Sequence, residues 1–292
     1  MSTTPSPSIP PDWAAIVDDA AVFPPGNSPL ADAVRAYDDR RGEWYAGLVR
    51  SFVVADVALP EARAQDAGAA PSPLSVVIGG GAGSVAGVCA YATRNQTALA
   101  GLEIALRDLD DLAGNARRVV AAVDAARGSG DLADEVPVFV ELPQDAPSAG
   151  WLAAADEVAA AELPLKFRTG GVEAHLFPAA DRVAAWIDAA LDRELSFKCT
   201  AGLHRAIRHT GADGFEHHGF LNVLLATRRA FDGASTVDVV ATLETRDADA
   251  LVGQARGEDL AGVRRWFTSY GSCSVEEPLA DLLDLGLLEG PA

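Results

Sequence analysis

Lys166, in LPLKFRTGG (163–171), and Lys198, in LSFKCTAG (195–202), are the only two lysines of the chain, which otherwise places arginine at 21 positions. Each stands inside a short apolar run closed by glycine. An ammonium in apolar surroundings is costly, and the cost is relieved by a carboxylate partner or by a lowered pKa. Two outcomes follow. In the first, Lys166 pairs with Glu141, and Lys198 pairs with Glu103 or Asp56, in a buried ion-pair layer. In the second, each cation raises the cost of protonating the other, and one lysine is left as a free amine near neutral pH. A free amine is what imine-forming catalysis at a carbonyl requires.

Other residues able to move protons or hold charge surround these two runs. Four of the five histidines, His204, His209, His217 and His218, fall within 15 residues after the second run. His204 follows it immediately and is expected to act as a general acid/base or a substrate hydrogen-bond donor, whereas His209 reads as part of a solvated loop. A zinc site from His204, His218 and Cys273 has no recognisable spacing, and neither a metal nor a cofactor is expected. GSCSVEEP (271–278) has the Ser-x-x-Glu spacing of a capping box, in Ser274 and Glu277, and so marks a helix start. Such a helix N-terminus can also bind phosphate. Gly271, Ser272 and Ser274 are candidate donors there, with Arg168 or Arg205 supplying charge. Thr169, Gly170, Gly171, Thr200 and Gly202 complete the expected anion-binding set. Asp18 and Asp19 read either as ligands of a divalent cation or as solvent-facing charge, and the glycines at 79–81 as a loop open to a ligand.

The elements that must position these groups alternate in type. Strands are expected at 14–23, 51–59, 74–81, 101–108, 136–143, 163–171, 195–202 and 264–274. Helices are expected near 30–49, 83–100, 109–127, 147–162, 178–194 and 217–231. The segment 238–264 reads as mostly helical, although TVDVVATLE also fits a strand, and EEPLADLLDLGLL closes the chain as a helix. Alternating strands and helices imply parallel βαβ units, and eight of them suit a single (β/α)8 barrel. An open doubly wound sheet is the alternative. Residues 1–12 read as a disordered tail and 13–292 as one domain.

Successive strand residues face opposite sides. Leu163, Leu165 and Phe167 share one face of the sixth strand, and Phe197 and Cys199 one face of the seventh. Lys166 and Arg168, and likewise Lys198 and Thr200, take the opposite face. The apolar faces belong under the helices, so both lysines point into the barrel near its C-terminal mouth, where barrel active sites sit. The same alternation turns Glu103, Arg107 and Glu141 inward.

Lys166-Phe167-Arg168-Thr169-Gly170 and Lys198-Cys199-Thr200-Ala201-Gly202 resemble two segments of class I aldolases of the deoxyribose-phosphate aldolase type. That family carries its imine-forming lysine on strand six and a second lysine on strand seven. The resemblance covers about 40 residues. It implies a barrel in which Lys166 forms the imine and Lys198 keeps it deprotonated. On strand four the family has an acidic E-x-D pattern, where this chain reads Glu103-Ile104-Ala105.

Bulk composition narrows the classes. A net charge of −19 without a basic stripe excludes nucleic-acid binding. No apolar run reaches membrane-spanning length, the first residues lack the pattern of a signal peptide, and three scattered cysteines form no disulfide framework. A cytoplasmic protein, with homo-oligomers allowed, is expected. Three functions fit. The first is an aldolase-like lyase acting through a lysine imine on a small anionic carbonyl compound, with Glu141, Glu103 or His204 moving protons. The second is a transferase or isomerase that clamps phosphate or pyrophosphate without an imine. The third is a barrel without catalysis that binds a small anion.

Overall fold

The computed structural model describes residues 8–66 and 70–291. Its centre is a closed barrel of eight parallel strands. In chain order these are β1 (Val17–Asp19), β2 (Val49–Ala55), β3 (Leu74–Ile78), β4 (Leu99–Ala105), β5 (Val138–Glu141), β6 (Leu165–Arg168), β7 (Phe197–Thr200) and, after a small hairpin, β10 (Phe267–Ser272). The hairpin is β8 (His209–Thr210) and β9 (Glu216–His217), antiparallel to each other. β1 pairs with both β2 and β10, which closes the ring and rules out the open sheet.

Helices cover the barrel: α1 (Leu30–Arg40), α2 (Leu59–Gln65), α3 (Val85–Arg94), α4 (Leu112–Gly128), α5 (Ala149–Ala160), α6 (Ala180–Leu191), α7 (Phe220–Phe231), α8 (Thr236–Glu244), α9 (Ala248–Gly257), α10 (Leu260–Val263) and α11 (Glu276–Asp284). Several start where a side-chain oxygen accepts an otherwise orphaned N–H, at Asp111, Ser148, Ser235, Asp247 and Asp259. The ambiguous TVDVVATLE is helical. Ser235 caps it, and Val239, Thr242 and Leu243 are buried at helical spacing.

Three boundaries differ from expectation in ways that matter to the site. β1 is three residues long, because Ala15 adopts a left-handed backbone (φ 52°) just before it. β4 runs from 99 to 105 rather than to 108, so Arg107 lies beyond the strand, exposed, with its guanidinium donating to the Gly79 carbonyl. The inward placement expected for Arg107 is thereby corrected. The helix after β7 starts at Phe220, since 209–217 is taken up by the hairpin.

The outer strand faces carry the apolar core. Phe167 stacks on Trp186 of α6 (5.5 Å) and Trp151 of α5 (6.4 Å), and meets Phe197 at 5.1 Å. Phe197 continues to Phe267 at 5.5 Å. Burying each of these rings contributes on the order of 1.5–3 kcal/mol, and together they leave only the opposite face of β6 and β7 for the lysines. Residues 8–12 rest on the barrel: Ile9 packs on the core, and Arg264 donates to the Asp12 and Ala14 carbonyls. Residues 1–7 of the expected tail lie outside the described residues.

Candidate active site

A chain of alternating charges runs through the barrel. Arg50, at the start of β2, reaches Asp18 of β1 at 3.4 Å. Asp18 accepts from Lys198 at 2.5 Å, and Lys198 also donates to Glu103 of β4 at 2.6 Å. The second oxygen of Glu103 meets Lys166 at 2.6 Å, Lys166 meets Glu141 of β5 at 2.8 Å, and Glu141 accepts from Arg168 Nε at 3.0 Å. Register fixes this order: Lys166 and Lys198 are direct neighbours across β6 and β7, and Glu141 is the neighbour of Lys166 across β5 and β6. Small side chains make room for it. Ser51 and Ser269 donate to Asp18 at 2.5 and 2.7 Å, and Ser51 and Ser75 share a hydrogen bond of 2.7 Å.

Lys166 and Lys198 are 2% and 1% exposed, so their charges depend on these partners. Burial alone would push Lys166 down, but Glu103 and Glu141 outweigh it and hold the ammonium above the usual lysine range. Burial would likewise push Glu103 up, yet the two lysines overcome it and hold that carboxyl well below the usual carboxylate range. Glu141 and Asp18 are depressed too, each against an opposing effect of burial. For Lys166 the expectation of a free amine is therefore corrected: the carboxylates on either side of it outweigh its burial.

The expected partner Asp56 is corrected as well. It caps a turn, accepting from the backbone N–H groups of Val57 and Gly79. Its place is taken by Asp18, which is fully buried rather than solvent-facing. Asp19 is buried beside the Arg40 guanidinium, and burial raises its pKa in spite of that contact. Among the described residues, no group of three or more His, Cys, Asp or Glu is placed to hold a metal ion.

A cavity of about 220 Å³ opens from the mouth onto this charge chain. Lys166, Lys198 and Glu103 line it, together with Arg168, Thr200 and His204. Phe23, Val53, Val77, Val172 and Leu176 make its other walls apolar. His204 Nδ1 lies 3.1 Å from Glu277, and Cys273 Sγ lies 3.7 and 3.8 Å from the two ring nitrogens. Burial lowers the His204 pKa against the opposing pull of Glu277. His218 is remote from this group, bonded to the Pro178 carbonyl and to Arg208.

The residues expected to bind an anion divide into two sets. Arg168, Gly171 and Thr200 line the cavity. Thr169 is buried, with its hydroxyl donating to the Ala201 carbonyl at 2.6 Å. Gly170 and Gly202 face each other, and a Cβ on Gly170 would stand 2.8 Å from Gly202 Cα. Arg205 pairs with Asp281 on the surface. The Ser272 hydroxyl donates to the Ser274 carbonyl, and the Ser274 hydroxyl accepts from Glu277 N, as the Ser-x-x-Glu spacing suggested. The Glu277 side chain turns instead to His204.

Sequence reasoning missed Asp18, Arg50 and Glu277 as members of the site. Asp18 carried a usable signal, since an acid inside the apolar run AAIVDDAAVF needs a partner as much as a lysine does. Arg50 carried none, because it enters from a strand end.

The deoxyribose phosphate aldolase from Aeropyrum pernix, described as having a unique tetrameric structure, has a similar fold. The match covers 94% of this chain and 93% of that one, with a TM-score of 0.51 and 14% identity. At that identity the likeness establishes the shared barrel. No protein-family model matches the chain, and no curated protein matches its sequence.

Proposed function

We propose that the protein is an aldolase-like lyase that forms an imine between Lys166 and a small carbonyl compound. The observation that carries this reading is the cavity. It opens onto Lys166, Lys198 and Glu103 together, so the one carboxylate shared by both lysines is within reach of a ligand. The barrel likeness to a solved aldolase supports it.

The raised pKa of Lys166 is compatible with this chemistry because charge is conserved. An ammonium and a carbonyl condense to an iminium and water, so the cation between Glu103 and Glu141 is replaced by another cation. Only one proton must leave nitrogen for the attack, and Glu103 takes it at 2.6 Å. A second proton leaves nitrogen after the attack, and both are passed to the former carbonyl oxygen, which departs as water. The iminium then draws electrons from the adjacent C–C or C–H bond. His204, held by Glu277 at the cavity wall, exchanges the proton at that carbon. Lys198, fixed by Asp18, keeps Glu103 ionised between turnovers. Assembly into homo-oligomers, as in the tetrameric aldolase, belongs to the same reading.

A buried ion-pair layer without chemistry is the second reading, favoured by the two carboxylate contacts of each lysine. Exchange of α-protons for deuterium separates them. Acetaldehyde, propanal, acetone and pyruvate would be incubated with the protein in D2O and followed by proton NMR. Enamine formation gives catalysed exchange that disappears in Lys166→Arg, whose guanidinium stays protonated. No exchange above buffer with any of the four leaves the ion-pair layer as the reading.

A further inference from the structure

We infer that the carbonyl compound taken by this cavity is a 2-oxo acid, whose carboxylate is held by the two Nη groups of Arg168. That the ligand has a reactive carbonyl rests on the imine reading; the carboxylate contact rests on the geometry of Arg168.

Arg168 follows Lys166 by two residues on β6, so the strand alternation turns both side chains into the barrel, and both line the inner cavity. Glu141 accepts from Arg168 Nε through one oxygen at 3.0 Å and from Lys166 Nζ through the other at 2.8 Å. The two cationic heads therefore stand one carboxylate apart. Gln144 steadies this end of the strand by donating to the Arg168 carbonyl at 2.9 Å. Among the described residues the two Nη groups of Arg168 make no hydrogen bond. With Nε tethered, they keep the planar fork that matches a carboxylate bidentately.

The charge count points the same way. The chain through the barrel holds four cations and the three carboxylates Asp18, Glu103 and Glu141, which leaves one positive charge uncompensated. At its far end Arg50 is engaged: its Nη groups meet Asp18 at 3.4 Å and the Ala100 carbonyl at 2.9 Å. At the mouth end the Arg168 side chain is 36% exposed, against 3% for Lys166. The surplus charge is thus offered to a ligand at Arg168. Iminium formation replaces one cation by another and leaves that surplus in place, and a single carboxylate neutralises it.

Position selects the class of acid. A ligand held by both heads must carry its anion next to the carbon that Lys166 attacks. In a 2-oxo acid the carboxylate and ketone carbons are directly bonded. An anion at the far end of a chain cannot meet both heads at once. Beyond the carbonyl, Phe23, Val53, Val77, Val172 and Leu176 leave a cavity of about 220 Å³ for a short apolar tail.

Two measurements test this. Pyruvate and pyruvamide, its neutral isostere, would each be reduced onto the protein with borohydride, and labelling at Lys166 read by mass across a range of concentrations. Separately, oxamate, which keeps the carboxylate but forms no imine, would be titrated while backbone amide resonances are followed. Arg168→Gln, checked for folding by circular dichroism, is expected to lower the preference for pyruvate over pyruvamide at least tenfold, or about 1.4 kcal/mol. It is also expected to abolish oxamate-induced shifts at the Thr169 and Gly171 amides. Arg168→Lys, which keeps the charge and loses the fork, should give a preference between the two, and is read in the same way if Arg168→Gln does not fold. Equal losses for pyruvate and pyruvamide would mean that Arg168 acts only by positioning Glu141, and would overturn the inference. Oxamate shifts that persist in the variant, or are missing from the unmodified protein, would overturn it too. If neither carbonyl compound labels Lys166, the imine reading falls, and the oxamate titration alone decides the carboxylate contact.

Discussion

Replacing Lys198 by methionine keeps most of the volume and removes one charge from the middle of the chain. The side chain is 1% exposed and touches two carboxylates, Asp18 and Glu103, at 2.5 and 2.6 Å. Asp18 would keep Arg50 at 3.4 Å and two hydroxyl donors, and Glu103 would keep Lys166. Four cations facing three carboxylates become three facing three, yet Asp18 loses its nearest partner and Glu103 one of two equally close ones. Removing one member of a buried pair costs about 3–5 kcal/mol, a large share of the roughly 5–15 kcal/mol that holds a domain together. The sign with pH follows from Glu103, whose folded pKa is depressed. Its stabilisation is present above the unfolded value near 4.3 and is lost as pH falls through the folded value. The deficit of Lys198→Met should therefore be full at neutral pH and shrink below about pH 4. Urea unfolding followed by tryptophan fluorescence reads both. Asp18→Asn added to Lys198→Met should recover part of the loss, with a coupling on the order of 0.5–3 kcal/mol. A single-variant deficit below about 1 kcal/mol, the scale of an exposed pair, would refute the claim that Lys198 compensates buried charge.

Three further outcomes follow from the same contacts. Glu141→Gln removes one of the two carboxylates that raise Lys166, so the pH profile of borohydride labelling should move to lower pH by about one unit, or 1.4 kcal/mol; an unmoved profile would contradict the assigned cause. His218 is buried, with its pKa depressed to about 4, chiefly by burial. Its contribution is present above the unfolded value near 6.5 and is lost as pH falls through the folded value, on the order of 3 kcal/mol in all. Urea midpoints should fall across that window, and His218→Gln should flatten the fall. Phe167→Ala opens a void between Trp151 and Trp186 and should cost about 3–5 kcal/mol in urea unfolding. Labelling at Lys166 should persist in that variant under native conditions.

The period-two pattern made the fold and the direction of both lysines legible, because Phe167, Phe197 and Cys199 fix which face is apolar. It did not reveal what the lysines meet inside. Glu141 stood in the sequence as a possible partner of Lys166, but whether the two lysines repel or share a carboxylate depends on the register of β4 against β6 and β7. That register is set by barrel closure rather than by any local spacing. Asp18 offered the signal of an acid in an apolar run, but not the direction in which it points. β1 is so short that its pattern does not separate a buried acid from a loop acid. The Ser-x-x-Glu signature announced the start of α11 correctly through Ser274, while the Glu277 side chain left the cap for His204, a tertiary contact with no sequence signal.

The most direct measurement is the mass and position of a reduced adduct. The protein would be incubated with propanal or pyruvate, reduced with borohydride, digested and mapped, with Lys166→Arg carried in parallel. The expected result is a single modification on the peptide bearing Lys166, absent from the variant. Modification only at the N-terminal amine, or equal labelling of the variant, would contradict the imine at Lys166.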